Sequence, residues 1–114
     1  MEKVDRLQKE VVKAILRDSD NRGKKKKAGT MTLFDVKADE AVEYAKEKLR
    51  LPADSESARK LMLSKICESL ECAKPWERMG ETYLGRWAFY EYRLKFIRLV
   101  AQKLDMTTLA NERA

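Results

Sequence analysis

The chain contains no histidine. That absence removes the commonest general base, the imidazole metal ligand and the usual partner of a serine or cysteine nucleophile. Cysteine is nearly absent too: Cys67 and Cys72 stand five apart, which on a helix points them about 140° from each other. They are poorly placed to bridge and lack metal-ligand spacing, so two ordinary reduced thiols are expected. No stretch approaches the ~20 apolar residues that a bilayer span requires. The opening Met-Glu-Lys-Val-Asp-Arg carries charge where a signal peptide has its apolar core. There is no sustained period-2 alternation, no repeat at solenoid period, no Gly-rich phosphate loop, no nucleophile elbow and no HExxH site. These absences argue against an enzyme, a cofactor, a metal, a small-molecule substrate and a membrane location, and for a cytoplasmic protein.

What is present is charge and helical periodicity. Of the 114 residues, 39% are charged and 44% hydrophobic, with a net charge of +6. One domain of this length buries about 65% of its unfolded surface. The charge is uneven. Residues 1–31 hold ten cations against five carboxylates, residues 32–74 hold eight against nine, and residues 75–114 hold seven against five. A basic excess placed in this way favours polyanionic partners.

The first helix is expected over residues 3–17, with Val4, Leu7, Val11, Ala14 and Ile15 as its apolar stripe and Arg6, Lys9, Lys13 and Arg17 on the opposite face. Asp18-Ser-Asp-Asn-Arg22-Gly then reads as a turn. Lys24, Lys25, Lys26 and Lys27 continue it as a flexible linker over 18–31, since adjacent ammonium groups repel and have nothing apolar to bury. Thr32 and Asp35 make a capping box for the next helix, with Met31 and Val36 as a staple. Its core face is Phe34, Ala38, Ala41, Val42, Ala45 and Leu49, and Pro52 stops it. A third helix begins near Asp54 or Ser55 and shows Ala58, Leu61, Met62, Ile66 and Leu70 inward. Pro75 suits the start of a fourth, and Gly80 and Gly85 weaken its early turns.

From Arg86 to Leu104 the pattern strengthens. Trp87, Phe89, Tyr90, Tyr92, Leu94, Phe96, Ile97, Leu99, Val100 and Ala101 cover an arc of about 220°, leaving Glu91, Lys95, Arg98 and Gln102 in the polar wedge. Arg86 and Arg93 fall inside that arc. They must pair with carboxylates such as Glu68 or Glu71, or face a groove or partner, where Trp87, Tyr90 or Tyr92 could stack on bases. The predicted architecture is all-α. It is a small helical bundle of four to five helices with an aromatic-rich central C-terminal helix, in one domain spanning 1–114 with a core over 32–104 and a frayed tail over 105–114.

The candidate nucleic-acid contacts are Arg6, Lys9, Lys13, Arg17, Arg22, Lys24, Lys25, Lys26 and Lys27 as one basic strip, and Arg86, Arg93 and Arg98 as a second surface. Such groups contact phosphates without choosing sequence and release counterions on binding. No helix–turn–helix pair carries a polar recognition helix, which disfavours a repressor. Met31-Thr-Leu-Phe-Asp-Val36 resembles, at Thr32, Leu33, Phe34 and Asp35, the short peptides by which replication and repair proteins plug into sliding clamps. The Gln that usually opens those peptides is missing, with Gly29 or Thr30 where it would lie. That resemblance implies a docking role for Leu33 and Phe34. In size, charge and helicity the chain is similar to the small helical subunits of multi-subunit CRISPR effector complexes. The expectation is therefore a non-catalytic protein that binds DNA or RNA backbone beside protein partner chains. The alternative is a protein-binding adaptor or inhibitor of phage or plasmid type.

Overall fold

The computed structural model describes residues 4–104, so the expected helix start at Lys3 and the expected tail over 105–114 lie outside the described residues. Five α-helices follow one another: α1 (Arg6–Arg17), α2 (Ser19–Ala28), α3 (Leu33–Lys48), α4 (Glu56–Cys72) and α5 (Arg86–Lys103), with a 3₁₀ turn at Trp76–Arg78 before the last. Among the described residues there is no strand, and no helix is long and apolar enough to cross a membrane.

The caps behave as the side chains dictate. Thr32 Oγ1 accepts from the Asp35 amide at 3.1 Å, and Asp35 Oδ2 accepts from the Thr32 amide at 2.9 Å. Ser55 Oγ accepts from the Ala58 amide at 3.1 Å and starts α4. Each bond satisfies a backbone donor that the first helical turn leaves without a partner.

α2 corrects the expected flexible linker over 18–31. The lysine run is helical, and its helix is held by its ends and one tether. Asp18 hinges it to α1. Gly29 closes it with φ +72°, so that the Thr30 amide reaches Lys25 O at 2.9 Å and the Gly29 amide reaches Lys26 O at 3.3 Å. Lys25, Lys26 and Lys27 lie in the last turn, where the negative pole of the helix offsets part of their repulsion.

α1 is also turned from its expected setting. Gln8, Val12, Ile15 and Leu16 are buried while Leu7 and Ala14 are exposed, a rotation of about 90° from the predicted stripe. Gln8 belongs inside because its Oε1 accepts from the Asp5 amide at 3.1 Å, which satisfies the group that periodicity alone would send to solvent.

The core joins Val12, Ile15 and Leu16 to Met62, Leu63, Ile66 and Leu70 of α4 and to Phe89, Phe96, Ile97 and Val100 of α5. The most extensive helix pairing is α3 with α5. Ala38, Ala41 and Ala45, all fully buried, leave the α3 backbone without bulk on that side. α5 is less wrapped than expected. Its fully buried residues Phe89, Phe96, Ile97, Val100 and Ala101 span only about 140°. Tyr90, Tyr92, Leu94 and Leu99 are half-buried, and Trp87 is 70% exposed. The aromatics do not cluster: among the described residues the ring pair is Phe89 edge-on to Tyr90, centroids 5.9 Å apart.

Candidate nucleic-acid interface

On α1, Arg6, Lys9, Lys13 and Arg17 fall within about 80° of one another, beside the buried face, with Lys9 about 20° round the helix from buried Leu16. Arg6 and Arg17 are exposed, Lys9 and Lys13 half-buried. Lys13 reaches Glu10 at 4.0 Å, and Arg17 Nε donates to Glu71 O at 3.0 Å. The four cations share one stripe, but because α1 is turned from its expected setting the stripe borders the core and does not lie opposite it.

On α2 the expected contacts divide into structural and exposed groups. Arg22 is only 3% exposed and cannot serve as a surface phosphate contact. Its Nε meets Asp39 Oδ1 of α3 at 2.7 Å, its Nη1 donates to Ile15 O at 2.6 Å, and Asp18 Oδ2 lies 3.9 Å away. It clamps α2 onto both α1 and α3. Lys25 turns the same way and meets Asp35 Oδ2 at 3.4 Å. Asp35 is held below the usual carboxylate range, chiefly because the Thr32 amide donates to it, with the Lys25 ammonium adding to the effect. Lys24, Lys26 and Lys27 are exposed. At 100° per residue, Lys27 and Lys24 point away from the side that Arg22 and Lys25 fix on α3.

The second expected surface does not form as one. Arg86 lies at the start of α5, with Nε 2.9 Å from Glu77. Arg93 sits in the middle of the buried arc with its carbon Cζ 5.1 Å from the Tyr90 ring centre, and Arg86 Cζ lies 5.9 Å from the same ring. Neither Arg pairs with Glu68, which instead meets Lys74 at 3.3 Å. Arg93 Nε is buried and makes no hydrogen bond, and burial pulls the guanidinium below its ordinary value. Tyr90 is fixed by its own hydroxyl, which accepts from the Trp76 amide at 3.0 Å. Trp76 in turn donates its indole N–H to Leu84 O at 3.0 Å. Arg98 lies 12 residues along the helix from Arg86, about 18 Å away. It borders a groove of about 320 Å3 with Lys48, Arg50 and Lys95, none of which sequence reasoning selected. No local pattern could have found that set, because its members come from two separate segments.

Two further surfaces bear on partners. Leu33 is 72% and Phe34 57% exposed, so the cap and staple reading explains their helix but not their side chains. Phe34 lines an apolar groove of about 470 Å3 with Val11, Ala14 and Ile15, rimmed by Asp18 and Arg22. Tyr83, at φ +59°, and Trp87 present two large exposed aromatics at the entry to α5. The Cys67 thiol is pushed up to about 11, mainly by burial. Among the described residues no group of three or more Cys, Asp or Glu side chains is placed to hold a metal ion. No family model, no curated protein and no solved structure matches this chain.

Proposed function

We propose that this chain is a non-catalytic, cytoplasmic helical protein that binds nucleic-acid backbone and works as a subunit of a larger nucleoprotein complex. The observation that carries the reading is the division of labour within α2. Arg22 and Lys25 turn inward and fix the helix, which leaves Lys24, Lys26 and Lys27 exposed on an ordered scaffold next in sequence to the α1 cations. Cations held in place lose less freedom on binding than those of a mobile arm. Arg6, Lys9, Lys13 and Arg17 extend the same phosphate-contacting surface. The likeness in size, charge and helicity to small helical subunits of CRISPR effector complexes agrees with this class.

The test is binding of labelled single- and double-stranded DNA and RNA between ~50 and ~300 mM salt. A log–log slope of several units, lowered by Lys24→Ala/Lys26→Ala/Lys27→Ala, is the expected result. Absence of binding at the low-salt end would refute it.

A second reading rests on Leu33 and Phe34, whose exposure beside an apolar groove suits a protein partner. In that reading the chain is an adaptor or inhibitor, and the partner's pocket resembles that of a sliding clamp. Its affinity would barely respond to salt and would collapse in Leu33→Ala/Phe34→Ala.

A further inference from the structure

The outward face of α4 carries charge in an order that its own helix does not favour. Glu71 stands in the last turn, beside the negative pole of the helix, and that turn holds no basic residue to offset it. Arg17 reaches the Glu71 backbone oxygen at 3.0 Å, but the Glu71 carboxylate has no ion pair among the described residues. Lys60, exposed towards the other end of α4, has none either.

Between these two charges the helix presents a narrow seam. Lys60, Ser64, Cys67 and Glu71 follow one another at spacings of four, three and four, within an arc of about 60° and about 130° round from the buried face. They line an open groove of about 490 Å3, with Lys46 of α3 at its side. Leu63 also borders it but belongs to the core, at 7% exposed. Ser64 is exposed and Cys67 half-buried, so the middle of the seam is small and carries no charge. The remaining charges of the groove already have partners: Glu68 meets Lys74 at 3.3 Å, and Lys46 meets Glu43 at 3.9 Å.

The seam is its own complement. Lys60 and Glu71 stand equally far from the point midway between residues 65 and 66, and so do Ser64 and Cys67. We propose that two copies of this chain pair through α4, antiparallel about a two-fold axis at that point. Lys60 of each copy then faces the partner's Glu71, and Ser64 faces the partner's Cys67. The two ion pairs lie about 16 Å apart along the helices. Each carboxylate gains the cation that its own last turn lacks. Small central side chains let the two backbones approach, and spacings of three and four set the helices side by side as in an antiparallel coiled coil. Three turns of one helix fall well short of the ~800 Å2 per partner of a standard interface. The dimer is therefore weak, with a dissociation constant on the order of 100 µM. The pairing does not depend on nucleic-acid binding, but it would join two α1 stripes in one particle, since Arg17 bonds α1 to α4.

The experiment is sedimentation equilibrium of the full chain, free of nucleic acid, at ~50 mM salt and from ~10 µM to ~1 mM protein. The variants are Lys60→Glu, Glu71→Lys and the double exchange Lys60→Glu/Glu71→Lys, with circular dichroism as the fold control. The parent should pass from monomer to dimer over that range. Each single reversal sets like charges at both ends of the seam and should weaken the dimer by about tenfold or more. The double exchange should restore it. An equimolar mixture of the two single variants should also dimerise, because each chain then complements the other. A net-charge effect gives a different pattern: Lys60→Glu lowers the net charge of +6 and Glu71→Lys raises it, so the two would move in opposite directions. A parent that stays monomeric at ~1 mM overturns the proposal and leaves this face to a partner of other chemistry. A dimer untouched by the single reversals, or restored by neither the exchange nor the mixture, overturns it too, since the chains then meet elsewhere.

Discussion

Removing the Arg22 guanidinium, as in Arg22→Met, should release α2 from the bundle without unfolding the rest. Arg22 is the one buried residue of α2, so this helix has no apolar face to hold it. A ten-residue segment containing Gly23 and four lysines is far below the length at which helix forms unaided in water. Two charge-assisted bonds are lost, to Asp39 at 2.7 Å and to Ile15 O at 2.6 Å, each contributing about 1.5–3 kcal/mol. The Asp39 side chain is 42% exposed and recovers water, which discounts the first bond to the low end. Ile15 O is left to find another donor at the α1 terminus. The net loss is on the order of 3–4 kcal/mol, charged to α2 docking and only partly to global stability. Hydrogen exchange followed by mass spectrometry should show amides in 19–28 becoming unprotected, and helical ellipticity should fall by α2's share. Adding Asp39→Ala should cost little more, because the pair is already broken. Nucleic-acid affinity should drop although no exposed cation has changed. Full retention of α2 protection in Arg22→Met would refute the claim that this side chain holds the helix, and with it the argument for an ordered lysine surface.

Arg93→Met should be neutral to stabilising by up to about 1–2 kcal/mol in chemical denaturation. It removes a half-buried guanidinium whose Nε has no hydrogen bond, at the expense of a stack on Tyr90; a clear destabilisation would show that the charge is paired more strongly than its geometry indicates. Ala73→Gly should raise stability by about 0.5–1 kcal/mol, read as a higher melting temperature, since Ala73 closes α4 at φ +55°, where glycine carries no penalty. Cys67 gives an alkaline signature. Its folded value near 11 exceeds the ordinary 9.0, so the folded state holds the proton longer and stability is full below about pH 9. It should then fall by up to about 2–3 kcal/mol as pH rises towards 11, and Cys67→Ala should flatten that limb; an unchanged limb would place the titration elsewhere.

Much of this fold was legible locally. Thr32 with Asp35, and Ser55, announce helix starts because a short oxygen-bearing side chain satisfies an amide within three residues of itself. The lysine run reads as a linker because it has no apolar periodicity. The available signal lay in its ends, Asp18 before it and Gly29 after it, where glycine supplies a left-handed terminus. The rotation of α1 was hidden by Gln8, whose burial depends on a bond to Asp5 that composition does not reveal. The basic stripe of α1 was readable, since it needs only a helix and a period. The four-cation groove was not, since Lys48 and Arg50 meet Lys95 and Arg98 only after α3 and α5 have packed.

The sequence by itself determined that the described chain is helical, that two of its helices start at Thr32 and Ser55, and that the positive charge concentrates in the first 31 residues. These follow from spacing, caps and charge, which act within a few residues along the chain. By contrast, the helix expected from Pro75 is only a 3₁₀ turn, and α5 starts at Arg86. The tertiary structure alone decided which charged groups face inward. Arg22 differs from the exposed Arg6 in no property of its own, only in what the neighbouring helices place around it. The Arg22 guanidinium becomes a clamp because Asp39 and Ile15 O converge on it and replace the water it loses on burial.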